Sequence, residues 1–504
     1  MKRLVTICFF LLLAQKGVAQ TNSATEQQLE ALGEVSEEAL EDDTYLQQLV
    51  YLQRHPLNIN AASREDLQLF KMLTSLQIES LLLYRKSLGP LISLHELQAI
   101  PYWDVTTIKK LLPFLKLQEG ITTNFATQLR AGEHLLLARG SRLLQQQRGY
   151  DKTRDNHYAG SRNKVLLRYK YQYKNELQYG LVAEKDAGEG GLKTFQNPFD
   201  FTSFHFFKRN KGALKTLAVG DYTVNLGQGL IHWQALAFGK SSEALAIVRQ
   251  SAVLRPYHGA GEFYFNRGVG ATFQKRGWEA TLFASVRKLS ANVKFDSAGK
   301  TFISSFNTSG LHRTKGELRE RHNTKQWSYG GNVQYRTTSF KIGLNAVQHH
   351  FSQPIDKADE PYNLFAIEGR KWANASLDYS YTYKNVYLFG EAAIDQNGSK
   401  AFLHGLLASL HTNADIALLY RNISPRYQSL YGNAFTESTM PTNERGFYIG
   451  VTIRPWTTLR LQAYADHYRF PWLRFRIGPP GRPWDLTMGP GRLQCCRGAA
   501  PRPW

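Results

Sequence analysis

Two patterns of apolar and polar residues divide this chain. Between residues 24 and 112, apolar positions recur at helical spacing in short runs, with no long strict alternation. From about residue 121 the pattern becomes apolar–polar alternation, with Gly, Asn and Asp between the runs, as antiparallel strands require. The change falls near Gln118-Glu119-Gly120.

The clearest strand covers 163–174. Val165, Leu167, Tyr169, Tyr171 and Tyr173 share one face, and Arg168, Lys170, Gln172 and Lys174 share the other. The same alternation predicts strands at 278–287, 340–346, 377–384, 447–453 and 459–463; Phe283 alone breaks it in the second of these. Strands of about 9–11 residues, apolar on one side, suit a transmembrane barrel, and Tyr and Trp near their ends suit its interfacial girdles. At roughly 20–25 residues per strand and connection, residues 121–477 hold roughly 14–18 strands. No blade-length repeat supports a propeller; a soluble β-sandwich is the alternative. Inward Lys and Arg predict a cationic lumen, either simply solvated or a path for anions.

The helical part reads as a lead-in over 20–56, with Leu46, Leu49, Val50 and Leu52 as packing positions, and Pro56 as its stop. Ser63 with Asp66 has capping-box spacing and starts a short helix to about Lys71. Met72-Leu73-Thr74-Ser75 connects it to a helix over 76–87. After Leu88-Gly89-Pro90-Leu91 the unit repeats: Ser93 caps a helix to Ile100, Pro101-Tyr102-Trp103-Asp104 connects, and Val105 to Leu112 is helical.

Residues 58–67 (Asn58-Ile59-Asn60-Ala61-Ala62-Ser63, then Glu65-Asp66-Leu67), 84–90 (Tyr84-Arg85-Lys86-Ser87-Leu88-Gly89-Pro90) and 96–100 (Glu96-Leu97-Gln98-Ala99-Ile100) carry a resemblance. The region 57–117 resembles the tandem helix-hairpin-helix domain of competence-type DNA-binding proteins. That resemblance implies DNA binding through glycine-containing hairpins, whose amides hold a phosphate. Both hairpins here lack glycine. The second also has Pro101, which removes a donor, and Asp104, which adds negative charge. The candidate interaction residues are Met72, Leu73, Thr74 and Ser75 in the first hairpin and Tyr102 and Trp103 in the second. A plug or protein-docking role is the preferred reading, with DNA uptake as the alternative.

Charge supports that preference. The chain of 504 residues carries a net +21. Residues 21–120 hold 14 acidic and 8 basic side chains, a net of −6, so the excess positive charge lies after 120. DNA affinity rests on cationic contacts, and the helical region is the acidic part.

Lys2 and Arg3, the apolar run Leu4 to Ala14, and Gly17-Val18-Ala19 form a signal peptide over 1–19, with cleavage between Ala19 and Gln20. No later apolar run reaches the ~18 residues of a transmembrane helix, so a membrane span would have to be a barrel.

Several longer stretches resemble a Bacteroidetes-type family of exported helix-hairpin-helix proteins with a large β domain. They are residues 220–230 (Gly220 to Leu230), Arg255-Pro256-Tyr257, Glu262-Phe263, Arg267-Gly268, His312-Arg313-Thr314, Glu317-Leu318, Phe389-Gly390-Glu391 and residues 420–432 (Tyr420 to Gly432). The resemblance implies an outer-membrane or periplasmic location and names no biochemical role.

Motifs for chemistry are few. His95-Glu96-Leu97 lacks a second zinc-protease histidine. Gly227-Gln228-Gly229 lacks a strand–turn–helix setting and reads as a bend or close packing. His349 and His350 would point to opposite strand faces. No nucleophile elbow or phosphate loop occurs, and a hydrolase assembled from scattered Ser, His and Asp would be a purely spatial arrangement. No cofactor or metal is expected.

Residues 478–504 differ from the rest, with 6 of the 18 prolines, 4 Arg, no Lys and Cys495-Cys496. They read as an aberrant tail produced by a frameshift near Ile477, which would leave the barrel unclosed. The whole is therefore an α+β multidomain protein: an all-α tandem helix-hairpin-helix domain (57–117), then a large antiparallel transmembrane-type β-barrel (121–477), possessing an incomplete end. It is expected to be a non-enzymatic outer-membrane protein with its N-terminal domain in the periplasm. The partners would be outer-membrane lipid and an envelope protein docked on the helical domain, with DNA disfavoured.

Overall fold

The computed structural model describes residues 44–117, 124–191, 198–210, 212–237, 239–241, 243–456, 459–475 and 484–489. The signal peptide, its Ala19–Gln20 cleavage point, most of the lead-in and most of the 478–504 tail lie outside the described residues.

The helical segment begins with α1 (Thr44–Arg54). Leu49 and Leu52 are buried, whereas Val50 faces outward, so the predicted packing stripe is narrower than expected. Ser63 and Asp66 form a complete capping box on α2 (Arg64–Leu67). Thr74 and Gln77 form a second one on α3 (Ser75–Leu88), which makes Thr74 an N-cap rather than a free loop residue. Ser93 and Glu96 cap a 3-10 turn over Leu94–Ala99. Asp104 caps α4 (Val105–Leu111), its carboxylate accepting from the Thr107 amide. The predicted negative charge on this hairpin is thus spent on a helix start. A two-residue parallel pairing of β1 (Leu57–Asn58) with β2 (Leu115–Lys116) ties the two ends together around a core that includes Ile59, Leu67, Leu81, Leu97 and Leu111.

The remainder is one closed barrel, β3 to β21. Its staves are β3 (Glu133–Arg142), β4 (Asn163–Tyr173), β5 (Leu177–Lys185), β6 (Phe201–Arg209), β7 (Leu214–Val224), β9 (Asn266–Lys275), β10 (Trp278–Leu289), β13 (Thr324–Arg336), β14 (Phe340–Ile355), β15 (Gly369–Tyr383), β16 (Val386–Asp395), β17 (Lys400–His411), β18 (Ala414–Ile423), β19 (Glu444–Trp456), β20 (Leu459–Arg469) and β21 (Trp484–Gly489). Three short strands, β8 (Leu254–Pro256), β11 (Ala291–Phe295) and β12 (Thr301–Phe306), belong to the long connections, which leaves sixteen staves in the wall among the described residues.

Alternation sets the two faces. Leu282, Val286, Val333, Leu344, Leu377 and Ile453 point outward and are exposed, while Thr281, Ser285, Asn332, Asn345, Asp378 and Thr452 are buried inside. Trp278, Phe340, Tyr383 and Trp456 are exposed on the outer face at one end of the wall, as a girdle.

Two expectations are corrected. The barrel closes: Trp484–Gly489 pairs with Gln462–His467 of β20, and the barrel joins β21 to β3. The six residues between Pro483 and Pro490 are free of proline, enough for a short stave. The lumen is also not a solvated cationic channel. Chain from Asn225 to Val253 folds into it and builds an apolar core with wall residues Phe283, Phe389, Leu403, Leu419 and Tyr448. Phe283 broke the alternation because it meets protein there, not water.

Connections differ at the two mouths. At one, β4–β5, β9–β10, β13–β14, β15–β16 and β17–β18 are joined by two or three residues; at the other, β10–β13, β14–β15 and β18–β19 are joined by long loops. The helical segment sits at the short-turn mouth.

Candidate functional site

The site begins where β7 stops. After Val224 the chain turns inward through Gly227 (φ 55°) and Gly229 (φ 85°). This left-handed backbone brings the amides of Gln228 and Leu230 onto Oε2 of Glu391 in β16, at 2.7 and 3.0 Å. A Cβ on Gly227 would lie 2.5 Å from the Glu391 carboxyl carbon. The same turn is held from the β18–β19 loop. Tyr427 donates its hydroxyl to the Leu230 carbonyl (3.1 Å), and the Asn433 amide donates to the Gly229 carbonyl (2.8 Å). Arg249 closes the insert by donating Nε to the Asn433 carbonyl and Nη2 to the Ala434 carbonyl, each at 2.8 Å.

Three stretches singled out in the sequence, around 220–230, 389–391 and 420–432, therefore meet in one lock inside the lumen. Gly227→Ala is expected to loosen it by about 1–3 kcal/mol, the scale of a backbone or steric strain at a special position. Limited proteolysis reads this as faster cleavage within 225–253 in a barrel that keeps its heat-modifiable mobility. Unchanged cleavage would contradict the lock.

The helical segment presses on this insert from the short-turn mouth. Leu76 of α3 belongs to the lumen's apolar core, and Tyr102 packs against it. Between the segment, the insert and the wall lies a chamber of about 340 Å³. Met72, Leu73, Thr74 and Tyr102 line it from the helical side, and Leu245 and Val248 from the insert. Four of the six candidate hairpin residues thus share one cavity. The other two do not: Ser75 lines a smaller polar cavity of about 80 Å³, and Trp103 is buried in the helical core, donating Nε1 to the Gln77 carbonyl at 2.9 Å. Tyr102 has φ 71°, a strained value for a non-glycine residue, and its carbonyl accepts from Gln77 Nε2 at 3.0 Å.

Charges line the chamber too. Arg454 pairs with Asp415 (2.6 Å) and Arg460 with Glu243 (2.9 Å). Lys71 donates Nζ to the Gln250 carbonyl at 2.7 Å. Desolvation, with Arg255 and Arg249 nearby, pushes its ammonium down to about 7. A lowered lysine means that the undocked state binds more protons between that value and the ordinary one near 10.5. Docking of the helical segment is therefore expected to strengthen as pH rises through that window and to be weakest below about 7. Hydrogen exchange of the 44–117 amides against pH measures this; a flat wild-type profile, or a slope that persists in Lys71→Met, would contradict it.

Docking itself is electrostatic at the rim. Asp66 pairs with Arg209 (3.0 Å) and also accepts from Asn175. Lys215 bridges Glu65 (2.7 Å) and Glu279 (2.6 Å). Burial opposes ionisation of Glu65, but Lys215 and Arg209 hold its carboxyl well below the ordinary range. Lys86 donates to Thr338 Oγ1 at 2.8 Å. Individual acids of the segment thus meet basic residues of the barrel, although 44–117 itself carries 5 acidic and 8 basic side chains; most of the acids behind the net −6 lie in 21–43, outside the described residues.

One group of side chains had no signature in the sequence. Glu189 and Asp200 of the β5–β6 connection come together with Ser290 and His312 of the β10–β13 connection, and no spacing or motif links them.

No protein-family model matches this chain, and no curated protein matches it. Among solved structures, it is similar to Wzi, an outer membrane protein involved in group 1 capsule assembly in Escherichia coli and described as a carbohydrate-binding β-barrel. The identity is 10%, covering 81% of this chain and 83% of that one, with a TM-score of 0.35. It is also similar to Pseudomonas aeruginosa OccK5 (OpdH), at 9% identity, 65% and 80% coverage and a TM-score of 0.34. An anion-selective porin from Comamonas acidovorans is similar at 12% identity, 61% and 79% coverage and a TM-score of 0.28.

Proposed function

We propose that this chain is a non-enzymatic outer-membrane barrel with a closed lumen, acting in transport, secretion or envelope assembly. The observation that carries the reading is the double closure. The insert 225–253 fills the lumen, and the helical segment seats over it through Leu76, Tyr102 and the rim ion pairs. A conduit of this kind works only when a partner or ligand moves the closing parts.

The outward apolar face and the aromatic girdle support the membrane placement. Short turns face the periplasm in outer-membrane barrels, so the helical segment lies on the periplasmic side in this reading. Its two capped helix–turn–helix units support the tandem helix-hairpin-helix assignment over 57–117. The domain acts as a plug, and exposed Leu88 and Ile92 offer an envelope protein a docking point away from the barrel. DNA uptake finds no comparable support, because the hairpin residues Met72, Leu73, Thr74 and Tyr102 line a chamber inside the molecule, where a duplex cannot reach them.

Membrane fractionation with heat-modifiable gel mobility tests the placement. The mature protein is expected in the outer-membrane fraction, migrating faster before boiling than after. A fully soluble mature protein would overturn the proposal.

A further inference from the structure

The geometry points to a divalent-metal site at the long-loop mouth, formed by Glu189, Asp200 and His312. All three residues are buried, and one ligand atom from each lies within 4.8 Å of the others. Glu189 and Asp200 come from the two ends of the β5–β6 connection and His312 from the long loop between β10 and β13, so an ion there would fasten two separate loops.

Each side chain is already aimed. His312 Nδ1 faces Asp200 Oδ2 in direct contact. Its Nε2 is held by Ser290 Oγ at 2.8 Å, which fixes the ring with Nδ1 toward the carboxylates. Glu189 accepts from the His312 amide through Oε1 (3.1 Å) and from the Asp186 amide through Oε2 (2.7 Å). Asp200 Oδ1 pairs with Arg321 Nε at 2.6 Å. The cluster therefore holds two carboxylates and an imidazole against one paired guanidinium.

Ligands of a zinc ion at about 2.0–2.2 Å lie roughly 3.4 Å apart, so small side-chain rotations close the observed 4.8 Å spread. An ion there would stand between His312 Nδ1 and Asp200 Oδ2 in place of their direct contact. Imidazole with two carboxylates favours zinc over calcium or magnesium, which prefer all-oxygen sites.

Ser290, His312 and Asp200 also follow the hydrogen-bond order of a serine hydrolase. Ser290 is buried, however, and its Oγ also accepts the His322 amide at 3.1 Å. Neither cavity described above is lined by it. A nucleophile must face substrate, whereas this hydroxyl orients a histidine.

The consequence is mechanical. Gly160 donates its amide to the Gly188 carbonyl (2.9 Å), and Ala159 donates to the Arg313 carbonyl (2.8 Å), so the loop after β3 is tied to the same cluster. Zinc bound there would hold the outward mouth in one arrangement.

The test is calorimetric titration of the detergent-folded, chelator-stripped full chain with zinc chloride, with calcium chloride as comparison. One zinc ion per chain is expected, with calcium much weaker. Ser290→Ala should keep the stoichiometry and weaken binding roughly tenfold, as outer-shell changes do. Glu189→Gln and His312→Ala should weaken it more, in proteins whose heat-modifiable mobility shows a folded barrel. Glu189→Gln preserves shape, so it remains informative if His312→Ala does not fold. No zinc uptake by the folded wild type, or equal affinity in Glu189→Gln, would overturn the site.

Discussion

Replacing Arg421 by methionine is expected to destabilise the barrel by about 3–5 kcal/mol, the cost of leaving buried charge without its partner. Arg421 lies on the inner face of β18 and is fully buried. Its Nη1 and Nη2 reach both carboxylate oxygens of Asp466 in β20, at 3.1 and 2.8 Å, and its Nε donates to Glu444 in β19. Both acids are as buried as the arginine. Glu444 also accepts the Glu437 amide at 3.0 Å, and Lys240 of the insert reaches Asp466 at 2.6 Å. Even the neighbouring backbone accommodates the guanidinium, since a Cβ on Gly446 would lie 2.7 Å from its Cζ. The group thus joins three staves, the β18–β19 loop and the lumen insert. Urea unfolding in detergent measures the loss. Combining Arg421→Met with Glu444→Gln and Asp466→Asn should recover much of it, because no unpaired charge then remains. A single variant as stable as wild type would show that these charges are solvated after all.

The staves were legible in the sequence because a membrane-type wall imposes period-two alternation that no other contact overrides. Leu282 and Val286 face out and Thr281 and Ser285 face in, as read. The helix starts at Ser63 and Ser93 were legible because capping is local chemistry. The lumen insert was not. Its conformation depends on Glu391, more than 160 residues away, and on loop carbonyls that no periodicity announces. One trace of it was visible: an inward Phe283 makes sense only against protein. Which hairpin residues face the chamber depends on how the segment seats, which no local pattern encodes. Trp103 turned into the helical core because its indole N–H finds the Gln77 carbonyl there. The metal-ligand cluster could not be read as a cluster, since its members join only when the β5–β6 and β10–β13 connections fold over the same mouth.

The division of charge does not by itself describe the seam. The net −6 of residues 21–120 comes from eight acids in 21–43, whereas 44–117 holds 5 acidic and 8 basic side chains, so the seam rests on individual pairs. Asp66 against Arg209 and Glu65 against Lys215 are pairs drawn from the two sides of that division.

The second large effect concerns conduction. Sixteen-stranded barrels with an empty interior leave an aqueous channel. Here the insert and the helical segment occupy it, so the intact protein should be electrically silent. Removing residues 44–117 and bridging 228 to 251 with a short Gly-Ser linker should clear the lumen while leaving every stave in place. The ion trio around Arg421 keeps its three wall members in that variant, which favours a folded barrel. Planar-bilayer conductance therefore tests the account most directly. Large, steady openings from the cleared variant beside a silent intact chain are the expected result. Open-pore conductance from the intact chain, or silence from a cleared variant with normal heat-modifiable mobility, would contradict it.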